Sequence, residues 1–450
     1  MKKIYFIGIG GVSMSGLAEI LVKDGHKISG SDERTSATTT HLQKIGINVY
    51  IGNNPANITP DIDLIVYNSA IKPDNPERIA ATTLGIPTMV RAELLGEMLK
   101  NYKYPICIAG SHGKTSTTAL ITSIALEAGL DPTVNIGGYI GDRNYIVGNS
   151  PYFILESCEY SNSFHHFHPW LGIILNIDAD HMDFHGSMDS LIGSFAKFAK
   201  NIRPGGILVI QEGIPGFESI IEGLECKIIT FSTDKSTTGY WITNADISSE
   251  TSCFDVMNET KFLAQVNLPL PGKYNMYNAL AAFAVGQEIG IEPNIIANAL
   301  SQAHGVRRRY EHKGEYNGTI IIDDYAHHPT EIKACLAAAR AAYPARRIIC
   351  IFQPHTYTRT RNHFDDFSHA FSGADISLFV PIYAARESYD PTISSEMLSD
   401  KVNSHGQISV YFNDFIEAEN WLREKLMPQD LLITMGAGDV YLIGERLITD

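Results

Sequence analysis

Short aliphatic runs alternate with helical stretches along nearly the whole chain, the pattern of parallel sheets flanked by helices. KIYFIG, HKISG, LIVYNSA and IPTMV come first and read as strands of a small nucleotide-binding fold, closed near Lys100 by the polar loop NYKYP. PICIAG, YFILE and LGIILNI form a second set, which passes through a polar, strand-like insertion at residues 226–268 to the helical segment NMYNALAAFAVGQEIG. Beyond the basic cluster GVRRRY, a third set reads GTIIID, RRIICIF, DISLFV and LLITM.

Composition narrows the picture. A chain of 450 residues, 44% of them hydrophobic, holds material for two or three domains rather than one. Its formal net charge of -15 argues against broad binding to nucleic acid or anionic lipid, but leaves room for a local basic pocket, so a small anionic substrate fits better than a polyanion. The six cysteines, Cys107, Cys158, Cys226, Cys253, Cys335 and Cys350, include no C-x-x-C pair, which points to a reducing cytoplasm. The opening MKKIYFIGIGG has the lysines of a signal peptide, yet Gly8, Gly10 and Gly11 interrupt its apolar run and it reads as a first strand. No run approaches the roughly 18 apolar residues of a membrane span, so no membrane insertion is expected.

The sharpest chemical signal is AGSHGKTSTT, where the strand PICIAG meets a glycine turn and then the helix TSTTALITSIAL. Backbone N–H groups of such a turn cradle phosphate, a lysine neutralises the β/γ oxygens and a hydroxyl holds magnesium. Gly110, Ser111, His112, Gly113, Lys114, Thr115 and Ser116 are therefore expected at ATP, in a shortened G-x-x-G-K-T form of the P-loop. YFILE ends in Glu156, and LGIILNI runs into DADHMD with Asp178, Asp180, His181 and Asp183. Ligands of open parallel sheets lie beyond the carboxyl ends of the strands, so these groups can face one crevice. Magnesium prefers oxygen, which favours Glu156 over Cys158 as a ligand. The stretch ESCEYSNSFHHFHPW looks at first like zinc chemistry, but its histidines, His165, His166 and His168, fit better on the connection into LGIILNI.

GIGGVSMSG also follows a strand, with Gly10 and Gly11 in the turn and Ser31 and Asp32 closing the second strand; it matches the dinucleotide fingerprint only in part, since Ser13 replaces its third glycine. A phosphate-bearing ligand, NAD and a tight structural turn all remain open there. In the third region, IIIDDYAHHPTEI and FQPHTYTRTR bring Asp323, Asp324, His327, His328, His355, Arg359 and Arg361 to strand ends, and GVRRRY adds Arg307, Arg308 and Arg309 as a phosphate clamp or an ordinary basic loop.

Taken in order, GIGGVSMS, SGSD, NSAI, GSHGKTSTT, NIDADHMDF, PGKYNMYNALAA, DDYAHHPTEI, FQPHTYTRTR and GAGDV resemble the Mur ligases of peptidoglycan synthesis, over essentially the whole chain. The resemblance implies three α/β domains: a Rossmann-like amino-terminal domain for the UDP-sugar over residues 1–99, a central P-loop ATPase domain with a mainly parallel sheet over 100–306, and a Rossmann-like carboxyl-terminal domain for the amino acid over 307–450. It implies an ATP-dependent ligase of the cytoplasm that joins L-alanine to the lactyl carboxylate of UDP-N-acetylmuramate through an acyl phosphate, with Mg²⁺ as cofactor. In this assignment Lys114, Thr115, Glu156, His181 and His327 are catalytic, and Thr115, Glu156 and His181 hold metal. Asn275, Asn278, Arg308, Arg309 and Asp324 meet ATP; Gly10, Gly11, Ser31, Asp32, His327, His355 and Arg359 meet the UDP-sugar and the amino acid. Lys197 stands near the position of a lysine that is carbamylated in related ligases.

The chain departs from the family pattern at Cys158 and Ser161, where aspartates are usual, at Tyr274 for a histidine and at Thr356 for an arginine, which touches affinity more than reaction class. Three rival readings predict different chemistry. A recycling ligase would add an intact tripeptide to the same UDP-sugar; an NAD-dependent oxidoreductase would leave the P-loop, Glu156 and DADH unused; a non-catalytic ATP-binding switch would release no phosphate on adding substrate.

Overall fold

The computed structural model describes residues 1–450 except Ser69, Asp142, Thr237, Ser248, Ser249 and Asp450, and of Val12 and Asp183 it describes only the backbone. The Asp183 carboxylate of the DADHMD loop and Ser69 of NSAI thus lie outside the described groups. β1 (Lys3–Ile7), β2 (Lys27–Asp32), β3 (Asn48–Ile51), β4 (Leu64–Tyr67) and β5 (Thr88–Val90) form a parallel sheet in the order β3-β2-β1-β4-β5. β6 (Tyr104–Ala109), β7 (Thr133–Ile140), β8 (Arg143–Ile146), β9 (Tyr152–Glu156), β10 (Leu171–Ile174), β11 (Ile207–Gln211) and β12 (Lys227–Ser232) follow in the order β12-β11-β10-β6-β9-β7-β8, parallel except for β7 with β8. The insertion holds β13 (Gly239–Asp246) and the antiparallel pair β14 (Ser252–Asn258) and β15 (Lys261–Leu268). β16 (Glu311–Tyr316), β17 (Thr319–Asp324), β18 (Ile348–Phe352), β19 (Ile376–Phe379), β20 (Ser409–Tyr411) and β21 (Leu431–Met435) take the order β16-β17-β21-β18-β19-β20, with only β16 antiparallel to its neighbour.

This is the expected three-domain α/β architecture. By compactness the chain divides into two units, one of residues 1–232, 236–240 and 281–296 and one of residues 233–235, 241–280 and 297–450. Every aliphatic run singled out above is a strand. The strands not anticipated include NVYI of β3, which keeps most of its side chains exposed, the longer TVNIGGYI of β7, the buried aliphatic run ILVIQ of β11, and EHKGEY of β16, an edge strand. Among the described residues no helix is long and apolar enough to cross a membrane.

Within the first unit one continuous core joins both sheets. Leu94, Leu95, Met98 and Leu99 of the helix Arg91–Leu99 share it with Phe164, Phe167, Leu191, Phe195 and Phe198. The helix Met188–Lys200 forms because Ser187 caps it, accepting the Ser190 N–H at 3.2 Å, and because Leu191, Phe195, Phe198 and Ala199 recur at helical spacing on the buried face. Leu191, Phe195 and Phe198 each contribute about 1.5–3 kcal/mol by leaving water, and Ala199 less. Gly96 is required in the helix Arg91–Leu99, since a Cβ there would come within 2.3 Å of the His166 carbonyl oxygen.

The amino-terminal sheet is pinned by Glu77, whose carboxylate is fully buried. It accepts the Tyr5 hydroxyl at 2.8 Å, the Asn57 amide at 2.9 Å, the Asn54 backbone N–H at 3.3 Å and the Ser31 hydroxyl. Removing this acceptor strands several buried donors at once, a loss of about 2–4 kcal/mol. Glu77→Ala is therefore expected to lower the urea midpoint of the transition that reports on the first unit; a midpoint equal to that of the unmodified protein would contradict the network's structural role.

Candidate active site

The phosphate-type loop is built by its neighbours. The buried strand β6 ends at Ala109, Gly113 takes φ +80° and the helix Lys114–Glu127 starts with no side-chain cap, so its first N–H groups remain available to an anion. The loop is clamped onto the segment that leaves β10. The Ser111 N–H donates to the Asn176 carbonyl at 3.1 Å, the His112 N–H donates to Asn176 Oδ1 at 2.8 Å, and the Ser111 hydroxyl donates to the Asp178 carbonyl at 3.1 Å. His112 Nε2 lies 3.0 Å from Asp178 Oδ2, and Ser116 sits half-buried in the first turn of the helix.

Two pairs of groups face each other at the carboxyl ends of β6, β9 and β10. Thr115 donates its hydroxyl to Glu156 Oε1 at 3.1 Å, while the Gly137 N–H holds Glu156 Oε2 at 2.8 Å. Lys114 Nζ lies 2.8 and 3.2 Å from the two oxygens of Glu159, and it also donates to the Ser111 carbonyl at 3.0 Å and to the Gly110 carbonyl. Burial disfavours the ammonium charge, but the neighbouring anionic groups, Glu159 foremost and then Cys158 and Glu156, together outweigh it and hold Lys114 above the ordinary lysine range. His181, at φ +54°, places Nε2 3.6 Å from Asp180 Oδ2 and 3.9 Å from Glu159 Oε1 beneath the Tyr160 ring.

Glu159, Asp180 and His181 thus offer ligand atoms within 4.8 Å of one another. In the sequence Asp180 is one of the candidate groups of DADHMD without a metal role of its own, and Glu159 has no assigned role. The signals were the second glutamate of ESCE and the second aspartate of DADH, but nothing local shows which carboxylate turns inward. Cys158 is nearby and inert: burial, reinforced by Glu159, pushes its thiol up to about 11. The zinc-like histidines disperse, since His165 lies 3.0 Å from the Ser194 carbonyl and hydroxyl oxygens, and His166 and His168 are exposed. Lys197 is exposed on its helix.

In the amino-terminal sheet the turn after β1 is held from β2. The Gly8 and Ile9 N–H groups donate to the Ser31 carbonyl at 2.8 and 2.9 Å, and the Gly10 N–H donates to Asp32 Oδ2 at 2.9 Å. A Cβ on Gly10 would lie 2.8 Å from Asp32 Oδ2, so the glycine permits that contact; Gly11 closes the turn onto the Gly8 carbonyl at 3.2 Å. Ser31, expected at the UDP-sugar, has its side chain engaged within the sheet. Its side chain is fully buried and donates to Glu77, because β-strand parity sets it on the face of its partner Ile7.

The second unit gathers another set. His327 Nδ1 lies 3.0 Å from the Tyr325 carbonyl and 3.4 Å from Glu331, with its ring 5.8 Å from that of His355. His355 bonds Arg359 at 3.2 Å and stacks on Tyr383. Thr356, between them, caps the helix Tyr357–Asn362 at φ +64°, a conformation that L residues with branched side chains rarely adopt. Arg308 is already engaged, with Nε 3.0 Å from Asp323 Oδ2 and a 2.6 Å bond to the Gly436 carbonyl, while the Arg309 guanidinium lies 5.1 Å from the Tyr325 ring centre. Asp324 accepts the Tyr310 and Ala326 N–H groups at 2.7 Å each, and burial pushes its carboxyl up to about 6. Asn275 donates to the Pro271 carbonyl at 2.8 Å, and both Asn275 and Asn278 are buried. Three of the residues assigned to ATP, Arg308, Asp324 and Asn275, therefore already serve the frame of their own unit. Tyr274 packs against that unit's core.

Family models match the chain in sequence: the Mur ligase family catalytic domain over residues 3–103, the Mur ligase middle domain over 108–286 and the Mur ligase glutamate ligase domain over 308–438. The UDP-N-acetylmuramate–L-alanine ligase of Clostridium kluyveri is 45% identical over 454 residues, covering 99% of this chain and 97% of its own length. The protein of the same name from Agathobacter rectalis is 46% identical over 447 residues, with the same coverage. The crystal structure of UDP-N-acetylmuramate-alanine ligase from Thermotoga maritima superposes with a TM-score of 0.85 at 27% identity, covering 100% of this chain and 99% of that one. The chain belongs to the Mur ligase family of ATP-dependent ligases.

Gly137 supplies a direct test of the Glu156 geometry, because a Cβ there would lie 2.6 Å from Glu156 Oε1. Gly137→Ala is expected to keep the fold and lower ATP-dependent turnover about 100-fold by displacing the carboxylate. Turnover equal to that of the unmodified protein, measured by ADP release, would contradict a functional role for that contact.

Proposed function

We infer that this protein joins L-alanine to the lactyl carboxylate of UDP-N-acetylmuramate at the expense of ATP, in peptidoglycan precursor synthesis. The observation that carries the reading is the match, at about 45% identity and over 97% of their length, to relatives that bear that name. The chemistry at the strand ends supports it. The lactyl carboxylate attacks the γ-phosphorus and ADP leaves with the electrons of the broken P–O bond; the amine then attacks the acyl carbon and phosphate departs.

The main physical obstacle is that two anions must meet. We assign Lys114 to the β/γ-phosphate oxygens and the N–H groups from Gly113 to Ser116 to the phosphate cradle, with Gly110, Ser111 and His112 completing the loop around it, where they stabilise charge as it shifts from the γ-phosphoryl group to ADP. The donors nearby, one hydroxyl, three carboxylates and an imidazole, suit a hard divalent cation, so Thr115 with Glu156 and His181 with Glu159 and Asp180 are the groups proposed to hold Mg²⁺. Mg²⁺ there would neutralise the phosphoryl oxygens. Gly10, Gly11 and Asp32 are assigned to the UDP-sugar on residues 1–99. Residues 100–306 are assigned to ATP, and residues 307–450 to the amino acid through His327, His355 and Arg359. Asn278 and Arg309 are proposed to contact the nucleotide. We place the reaction in the cytoplasm, where ATP is supplied.

Phosphate release, measured with ATP, Mg²⁺ and UDP-N-acetylmuramate while adding L-alanine, glycine, L-serine or a tripeptide in turn, tests this reading. Stimulation by L-alanine above the others is expected. Stimulation by the tripeptide alone would point to a recycling ligase, and stimulation by none of them would refute the assignment.

A further inference from the structure

We propose that Glu159 is the resident counter-ion of Lys114, a positioning residue that occupies the ammonium until a nucleotide phosphate displaces it. An ammonium group has three N–H donors. In Lys114 they are taken by the Gly110 carbonyl, the Ser111 carbonyl and the Glu159 carboxylate, and the side chain is only 12% exposed. Every donor therefore points into the protein. The two carbonyls belong to the phosphate loop itself, so the partner most readily exchanged is the carboxylate, which comes from a different segment.

That segment is held still. After Glu159 the chain makes two consecutive left-handed residues, Ser161 and Asn162, each at φ +54°. The Asn162 N–H donates back to the Glu159 carbonyl at 3.0 Å, and Asn162 Oδ1 accepts the Ser194 hydroxyl at 2.6 Å. His166, further along, is packed against Gly96. Glu159, with 1% of its side chain exposed, thus cannot follow the lysine outward; once the pair opens, His181 Nε2, 3.9 Å from Oε1, remains in reach. Two anions, the resident carboxylate and the incoming phosphate, compete for one ammonium. Removing the resident anion strengthens the hold on the other.

The inference rests on reading Lys114 as the phosphate lysine, and the test separates the two. ADP binding is measured calorimetrically on the full chain in EDTA, without divalent cation, for the unmodified protein, Glu159→Gln, Lys114→Ala and the double variant. Glu159→Gln is expected to bind ADP about tenfold more tightly, and the gain is expected to vanish in the Lys114→Ala background. A merely structural role would weaken binding instead. Equal or weaker binding by Glu159→Gln overturns the proposal, as does a gain that persists without Lys114. ADP affinity in Lys114→Ala equal to that of the unmodified protein would refute the phosphate-lysine reading itself. Should Glu159→Gln fail to fold, Glu159→Asp, which stretches the pair, takes its place: tighter ADP binding supports the proposal, and equal or weaker binding overturns it.

Discussion

The charge on Lys114 is the constraint on which the first unit is organised. A lysine whose side chain is 12% exposed needs compensation for its charge, and it finds that compensation in Glu159 and two loop carbonyls. Each partner arrives by a different route. β6 delivers the loop, β10 clamps it through Asn176 and Asp178, and β9 leads to Glu156 and Glu159. Parallel strands place all of these at one end of the sheet, and the helix Arg91–Leu99 and the helix Met188–Lys200 brace the turn beyond Glu159 from behind. The shared core of the amino-terminal and central sheets therefore does more than add stability. It fixes the distance between a lysine and the carboxylate that balances it.

The same economy appears at the other strand ends. Asp32 orients a glycine turn through one N–H, and Gly137 orients Glu156 through another. In each case a glycine lets a carboxylate approach the backbone where a Cβ would collide. In the second unit a buried acid, Asp324, is satisfied by backbone donors, while the His327, His355, Arg359 and Tyr383 cluster keeps aromatic and cationic groups close together.

Much of this was legible in the sequence because it is local. The aliphatic run, the glycine turn and the hydroxyl-rich helix at residues 104–127 are contiguous, and each element specifies its own conformation. Glu156 was legible for the same reason, as the last residue of a strand. Glu159 was not, because its partner is 45 residues away and the inward turn depends on two left-handed residues that carry no glycine. Ser31 looked available at a strand end until the register with Ile7 set it on the buried face toward Glu77. Arg308 and Asp324 were recognisable as functional residue types, but not as groups already paired within the third domain.

Acyl-phosphate formation is the central chemical claim, and the most direct measurement follows one oxygen atom. UDP-N-acetylmuramate labelled with ¹⁸O in its lactyl carboxylate is turned over with ATP and L-alanine, and the released phosphate is analysed by mass spectrometry. Because that carboxylate oxygen forms the new bond to phosphorus and leaves with it, phosphate carrying a single ¹⁸O is expected. Phosphate free of label, with amide product formed, would contradict activation of the carboxylate by ATP.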